Sequence, residues 1–426
     1  MNNKIKIIRE TARYIMKNNK KKIIAILIPL AVFGISVGIK LTLNFENFSM
    51  IPVSVYEIKQ KNPEIVYYKG SSFKEVSDIS LNAQAAILVE SSTGTVLYAK
   101  NEHQRRDPAS ITKIMTAMVA LERGDLSDVV TVSENSVKTG GSSIGLKAGE
   151  QHNLEELIRS TMVKSGNDGA VAIAEHIGQG NVENFVELMN LRADSIGLEN
   201  TNFVNPHGLT HDNHFSTAYD LAMMCMMGLK DKKFSDIVST KEQWYSMIEN
   251  GETDWFQNTN KLLWSFEGAD GVKTGTTNRA GNCLAASATR NGLQFIAVVL
   301  NSSSRWNDCA SLLEYGFSEF TKADIIKSQI PIQTVGVKVS NEEAVKIGVI
   351  SGSDFSVIVR KDDIEKIEVE ILADEDLRAP VNLTDKIGEL NVYVDNEKIS
   401  SIVLYPDSSV KKQGVIYRLK NAFKGK

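Results

Sequence analysis

Three short clusters in this chain bring together groups that can make and break an acyl bond. They are Ser110-Ile111-Thr112-Lys113, Ser165-Gly166-Asn167 and Lys273-Thr274-Gly275. A serine hydroxyl is a poor nucleophile until a base takes its proton. A serine and a lysine three residues apart on a helix share one face. A lysine amine can act as that base when burial or a neighbouring cation depresses its pKa. Asp107-Pro108-Ala109 precedes the first cluster, and Pro108 suits the first turn of a helix. Ile114, Met115, Met118 and Val119 then give that helix an apolar face. Ser165 follows Ser110 by 55 residues, and Lys273 follows Ser165 by 108. Each cluster alone recurs by chance. Their joint occurrence in this order, each at the boundary of an expected element, is far more specific.

The elements that must position these groups can be read around them. Ala85–Glu90 and Thr95–Lys100 read as strands, with Ser-Ser-Thr-Gly between them as a hairpin signal. A helix-rich stretch runs from there to about residue 230. One helix start is explicit, because Asn153 with Glu156 forms a capping box before Leu157, Ile158 and Met162. Strand character returns over Asn282–Thr289 and Gln294–Leu300, and a helix around Asp308–Phe320 closes the domain. Strands, then helices, then strands predict an α/β (α+β) layered catalytic domain over 81–325, with a mainly antiparallel sheet flanked by helices. Beyond it, Ser356–Arg360, Lys366–Leu372, Glu389–Val394 and Ser400–Leu404 alternate in polarity, and Asp395-Asn396-Glu397 makes a turn. A small all-β domain is expected over 326–408.

The ends differ from the middle. A chain of 426 residues with 42% hydrophobic and 23% charged residues has room for two or three domains. The net charge of −4 provides no global field for nucleic acid. Residues 1–22 nevertheless hold eight basic side chains against Glu10 alone, a net of +7. The uncharged run Ile23–Ile39 follows, near the short end of membrane-spanning length. The positive-inside rule puts the N-terminus in the cytoplasm and exports the rest. The segment 23–43 is a signal peptide or a signal anchor; with no clear A-x-A cleavage site after it, the retained anchor is favoured. Residues 44–80 read as a spacer. The last 17 residues carry six basic side chains and no acid, with Val415, Ile416, Leu419 and Phe423 at roughly helical spacing. A basic amphipathic helix in the membrane interface and a solvated tail both fit 409–426, since Gly414 and Gly425 weaken a helix.

The three clusters together match the S-x-x-K, S-D-N and K-T-G set of the penicillin-binding proteins and class A β-lactamases, with Ser-Gly-Asn in second place. The chain resembles the low-molecular-weight penicillin-binding proteins, the D-alanyl-D-alanine carboxypeptidase family of serine peptidases. The likeness extends to Gly166-Asn167-Asp168-Gly169-Ala170, to Phe185, Met189 and Asn190, to Thr201–Leu209 (TNFVNPHGL), and to Ser216–Leu221 (STAYDL). Ala379-Pro380-Val381 and Gly388-Glu389-Leu390 fit the family's second domain, and the basic tail fits its membrane anchor, which favours the helical reading.

This resemblance implies hydrolysis of the bond between two D-alanines at the end of a peptidoglycan stem peptide, with β-lactam antibiotics as covalent inhibitors. It implies Ser110 as nucleophile, Lys113 as proton acceptor and Ser165 as proton relay. Asn167 would hold the acyl amide. Lys273, Thr274 and Arg305 would meet the terminal carboxylate, and the backbone N–H groups of Ser110 and Thr276 would form the oxyanion hole. Gly275 completes the third cluster. The mechanism needs no metal or organic cofactor, and the enzyme would act at the outer face of the cytoplasmic membrane. Thr276-Thr277 departs from members with His or an aromatic residue after K-T-G, which bears on substrate preference.

Three rivals stand beside this reading: a β-lactamase, a D-alanyl endopeptidase of the same fold, and a catalytically silent wall-binding or β-lactam-sensing protein. No E-x-x-L-N segment lies between Asn167 and Lys273, which argues against the first. Several groups read as structural. His207 shapes a turn; His211 and His214 lack a clear third ligand for a metal. Met223, Met224, Met226 and Met227 read as core, as do Cys225, Cys283 and Cys309. Lys361-Asp362-Asp363 reads as a solvated turn.

Overall fold

The computed structural model describes residues 66–68, 79–246, 253–340 and 343–412. All of them belong to one compact unit, Gln60–Lys426. The basic segment 1–22, the apolar segment 23–43, most of the spacer 44–80 and the tail beyond Lys412 lie outside the described residues.

A six-stranded sheet forms the centre of the catalytic part. Its strands lie in the order Val66–Tyr67, Thr95–Lys100, Ala85–Glu90, Leu293–Leu300, Gly281–Arg290 and Ala269–Thr277. Every pairing is antiparallel except the short parallel one between Val66–Tyr67 and Thr95–Val96. The inner strands are buried on both faces, which explains why AAILVE and FIAVVL carry no polar alternation. Ile87, Val89, Ile296 and Val298 face a core shared with the helices Lys113–Arg123, Leu154–Lys164 and Ala218–Leu229. Leu88, Phe295, Ala297 and Val299 face the other way, against Cys309, Leu312 and Leu313 of the helix Arg305–Glu319. The sheet is therefore a middle layer between two layers of helix, and Ala269–Thr277 is one of its edges.

Local rules set the element ends. Asn153 caps the helix Leu154–Lys164 by accepting from the N–H groups of Glu155 (3.0 Å) and Glu156 (3.3 Å). The three cysteines are free and buried, and Met223, Met224 and Met226 are in the core. Two features were not legible from sequence pattern. Glu242–Ser246 pairs with Thr253–Gln257 as a separate hairpin. Phe320–Ile326, read as the end of the catalytic domain, is a strand paired with Phe355–Arg360 of the β-rich part.

The β-rich part is a second six-stranded sheet beside that pair, over a core that includes Val337, Val349, Val359, Val392 and Leu404. Asp395 (φ 50°) and Asn396 (φ 64°) make the turn before Glu397–Pro406. Val410, read as the start of the tail, is buried and bridged to Val381, so the fold continues to that point. The Lys361–Lys366 segment is a 3-10 turn, and only part of it is solvated. Asp363 is 1% exposed, accepting from Tyr68 Oη (3.2 Å) and Lys366 Nζ (2.8 Å), which ties the β-rich part to the N-terminal edge of the catalytic sheet. A charged triplet signals water, but Tyr68, buried and far away in sequence, overrides that signal.

Candidate active site

The three clusters converge at the edge strand. Ser110 sits in a 3-10 turn, Ala109–Thr112, and Lys113 opens the helix Lys113–Arg123. The sequence expectation was a single helix beginning near Pro108. The tighter turn brings residues three apart into eclipse, which suits a serine–lysine pair better than an α-helical turn. Ala109 carries φ +48°, a left-handed conformation that alanine rarely adopts.

Two glycines make room for this turn. A Cβ on Gly208 (φ +87°) would stand 1.9 Å from the Ala109 carbonyl oxygen. A Cβ on Gly275 would stand 2.9 Å from the Pro108 carbonyl oxygen and 3.2 Å from the Ser110 nitrogen. The glycine of Lys273-Thr274-Gly275 is thus required because the nucleophile turn rests directly on the edge strand. Gly208 is required because the TNFVNPHGL loop closes the other side.

Lys113 is 0% exposed. Its ammonium nitrogen lies 3.0 Å from Ser110 Oγ, 2.6 Å from Asn167 Oδ1 and 2.8 Å from the His207 carbonyl oxygen. The last two can only accept. A neutral amine has two N–H bonds and one lone pair, so donation to those two oxygens turns the lone pair toward Ser110. Burial holds the Lys113 pKa well below the ordinary lysine value; the charge of Lys273 lowers it further, and Asp168 opposes. Lys273 is 1% exposed, and burial, then Arg305, bring it down to about 7.

Ser165 ends the helix Leu154–Lys164 in a left-handed conformation (φ 67°, ψ 34°) and is buried. Asn167 starts the next helix, Asn167–Ile177. Its Oδ1 accepts a hydrogen bond from Lys113 Nζ and its Nδ2 donates to the Gly140 carbonyl at 2.6 Å, which leaves one amide N–H for a ligand. Thr274 shares a hydroxyl contact with Thr259 (2.7 Å). Arg305 Nη1 donates to Thr276 Oγ1 (2.8 Å) and the Gly275 carbonyl (3.0 Å), so the arginine lies against the edge strand. Every residue assigned to the site from sequence therefore lies in this one region.

Sequence reasoning missed the supports. Asp168 is buried and accepts from the N–H groups of Ile144 (3.0 Å), Gly145 (3.1 Å) and Leu146 (3.3 Å) and from the Ser143 hydroxyl. It clamps the loop that carries Gly140 and, through the Asn167 N–H to Ser142 bond (2.7 Å), the start of the helix. His207 holds the turn as expected, its Nδ1 accepting from Leu209 N–H (3.2 Å), and burial lowers its pKa to about 3. Its backbone carbonyl, in addition, orients Lys113. His214 accepts from Val204 N–H at Nδ1 (3.2 Å), so its Nε2–H donates to Thr112 (2.8 Å). Arg279 joins Asp107, Asp212 and the His211 carbonyl, linking the turn after the edge strand to the loops on either side of the nucleophile. Among the described residues no group of three or more His, Cys, Asp or Glu side chains is arranged to hold a metal ion.

Comparison with known proteins gives the same picture. The D-alanyl-D-alanine carboxypeptidase family profile matches residues 72–304, and the profile of the penicillin-binding protein 5 C-terminal domain matches 320–412. The chain is 35% identical over 356 residues to the D-alanyl-D-alanine carboxypeptidase DacF of Bacillus subtilis, covering 82% of this chain and 90% of that one. It is 33% identical to DacD of Escherichia coli, covering 80% and 90%. Among solved structures, penicillin-binding protein 5 of Haemophilus influenzae superposes with a TM-score of 0.71 at 32% identity, covering 79% of this chain and 99% of that one. The chain belongs to the D-alanyl-D-alanine carboxypeptidase family of penicillin-binding serine peptidases, which are hydrolases acting on the cell wall.

The glycine contacts give a direct expectation. Gly208→Ala pushes a methyl group into the Ala109 carbonyl and displaces Ser110. Covalent labelling by a fluorescent penicillin should slow by at least about tenfold, the effect expected when a reacting atom moves by a fraction of an ångström, with the circular dichroism spectrum retained. Wild-type labelling kinetics in this variant would refute the steric argument.

Proposed function

We propose that this family member removes the terminal D-alanine from peptidoglycan stem pentapeptides through an acyl-enzyme on Ser110. One observation carries the assignment of roles: a buried lysine whose two other neighbours are pure acceptors, one turn from the Ser110 hydroxyl that its lone pair meets. Ser110 Oγ attacks the penultimate D-alanine carbonyl while Lys113 takes its proton. The oxyanion forms between the backbone N–H groups of Ser110 and Thr276, on facing segments of the turn and strand. As the C–N bond breaks, the leaving amine receives a proton by way of Ser165. Asn167 holds the acyl amide with its remaining N–H. Lys273, Thr274 and Arg305 bind the leaving residue's carboxylate. Water then attacks the ester carbonyl while Lys113 takes its proton, and Lys113 returns that proton to Ser110 Oγ as the ester C–O bond breaks.

The second part of the proposal is location. The net +7 of residues 1–22, the apolar run after them and the basic tail support a protein held at the outer face of the cytoplasmic membrane by a signal anchor and an interfacial helix. Among the described residues no helix is long and apolar enough to cross a membrane, and both proposed anchors lie beyond those residues.

Four outcomes are expected. Mass spectrometry of penicillin-treated protein should find one long-lived adduct, on the Ser110 peptide. Purified enzyme should release D-alanine from a pentapeptide faster than it splits a crosslinked dimer, and Ser110→Ala should abolish both; rapid penicillin turnover or preferred dimer cleavage would instead support the β-lactamase or endopeptidase reading. The pH profile carries a sign. Lys113 must be neutral to accept a proton, so acylation rises with pH through its pKa. Lys273→Gln removes a cation that lowers that pKa. The acidic limb of the acylation rate should move to higher pH, and a limb that stays put or moves down rules out this coupling. Finally, full-length protein should co-sediment with anionic lipid vesicles more strongly than protein ending at Lys412; equal sedimentation removes the tail as an anchor.

A further inference from the structure

The hairpin that the sequence did not reveal has two unlike faces. Gln243, Tyr245 and Phe256 are buried on the inner face, where Tyr245 stacks on His152 (4.9 Å) and meets Phe256 (5.6 Å). The outer face bears Trp244 and Trp255, directly opposite each other in the strand register and 69% and 48% exposed. Tryptophan is among the more buried residue types, so two side by side in solvent need a reason. Neither takes part in a ring contact among the described residues, so they are not explained as a stacked pair that holds the hairpin together.

Among the described residues of the two strands the rest of that face is polar without a cation; the nearby Lys164 lies over the Phe256 ring of the inner face (5.9 Å). Strand parity puts Glu242, Thr253 and Gln257, all exposed, beside the indoles and sends Lys241 to the other side. An anionic lipid surface would be met by lysine and arginine. A sugar ring instead offers an apolar C–H face and a rim of hydroxyls, which match an indole plane flanked by amide, hydroxyl and carboxylate groups.

The hairpin is also continuous with the cleft. At its base Asn258 N–H donates to the Lys241 carbonyl (2.8 Å), and Thr259 N–H donates to the Val163 carbonyl (3.2 Å), two residues before Ser165. The Thr259 hydroxyl meets Thr274 at 2.7 Å. Trp255 is four residues from Thr259, at most about 14 Å along the chain. In a stem pentapeptide four residues separate the scissile bond from the sugar, roughly the same length when extended.

We infer that the Trp244–Trp255 face binds the N-acetylated sugar strand that carries the stem peptide, so that the enzyme prefers glycan-linked substrate to free peptide. This rests on the peptidoglycan reading of the cleft. The test combines kinetics with binding, using full-length protein. In the double variant Trp244→Ala/Trp255→Ala, kcat/KM on uncrosslinked glycan-linked pentapeptide should fall about tenfold through KM, as for loss of an aromatic anchor pair, while free pentapeptide changes less than about twofold. Tryptophan fluorescence titrated with an oligomer of β-linked N-acetylglucosamine should show saturable quenching that the double variant loses and that Trp264→Ala, exposed but off the hairpin, keeps. Equal kinetic losses on both substrates, or no saturable quenching in the wild type, overturn the inference. So does reduced vesicle binding with unchanged sugar titration, which would reassign the face to lipid. Absence of D-alanine release by the wild type overturns the carboxypeptidase assignment, and the sugar titration then decides this inference by itself.

Discussion

The site depends on one constraint: a lysine amine removed from water and left with a single free direction. Water would keep Lys113 charged, and a charged ammonium has no lone pair to offer a hydroxyl. The fold removes the water by surrounding Lys113 completely, and the cost of an uncompensated buried cation then favours the neutral form. Two carbonyl oxygens, from Asn167 and His207, determine how that neutral amine points. They come from different segments of the chain, so the orientation exists only when the helix Asn167–Ile177 and the TNFVNPHGL loop are both seated.

Other features follow from keeping those segments seated. Asp168 gathers the N–H groups of residues 144–146 and holds the loop whose Gly140 carbonyl fixes Asn167. Gly208 and Gly275 let the loop and the edge strand approach the nucleophile turn closely enough to hold Ala109 in a conformation it would otherwise leave. Arg279 and the His214–Thr112 bond fasten the same turn from outside. A serine on a freely fraying helix end would have the same atoms and no fixed attack direction.

This explains how much was legible beforehand. Ser110, Lys113, Ser165, Asn167 and Lys273 could be found because chemistry restricts which residue types can serve, and they recur as fixed short patterns. The inner strands could be found because burial on both faces leaves uninterrupted apolar runs. The supports were less visible. A backbone carbonyl such as that of His207 has no residue signature, and Asp168 looks like any helix-start acid until the loop it binds is in place. Phe320–Ile326 was missed because its alternation is weak and its partner lies some thirty residues away. Asp363 looked solvated because Tyr68, its distant donor, is brought to it only by the tertiary fold. The hairpin Glu242–Gln257 was missed because its two tryptophans sit at outward positions, where strand patterning leads one to expect polar residues.

The electrostatics of the cleft tie recognition to chemistry. Lys273 and Arg305 stand along the edge strand, and Lys273 is one of the groups that depresses Lys113. On the proposed mechanism, both side chains meet the substrate's terminal carboxylate. An anion there opposes the charge of Lys273, and by the same rule that lowers the Lys113 pKa in the free enzyme it raises that pKa in the complex. A higher pKa makes a neutral amine a stronger proton acceptor. On the proposed mechanism, burial and Lys273 push Lys113 toward its neutral form while the site is empty, and it gains basicity when a substrate with a free carboxylate arrives. A peptide lacking that carboxylate would lose more than its binding contacts, because Lys113 would remain a weak base beside it. On the proposed mechanism, preference for a chain end then follows from the placing of two basic groups around one buried amine.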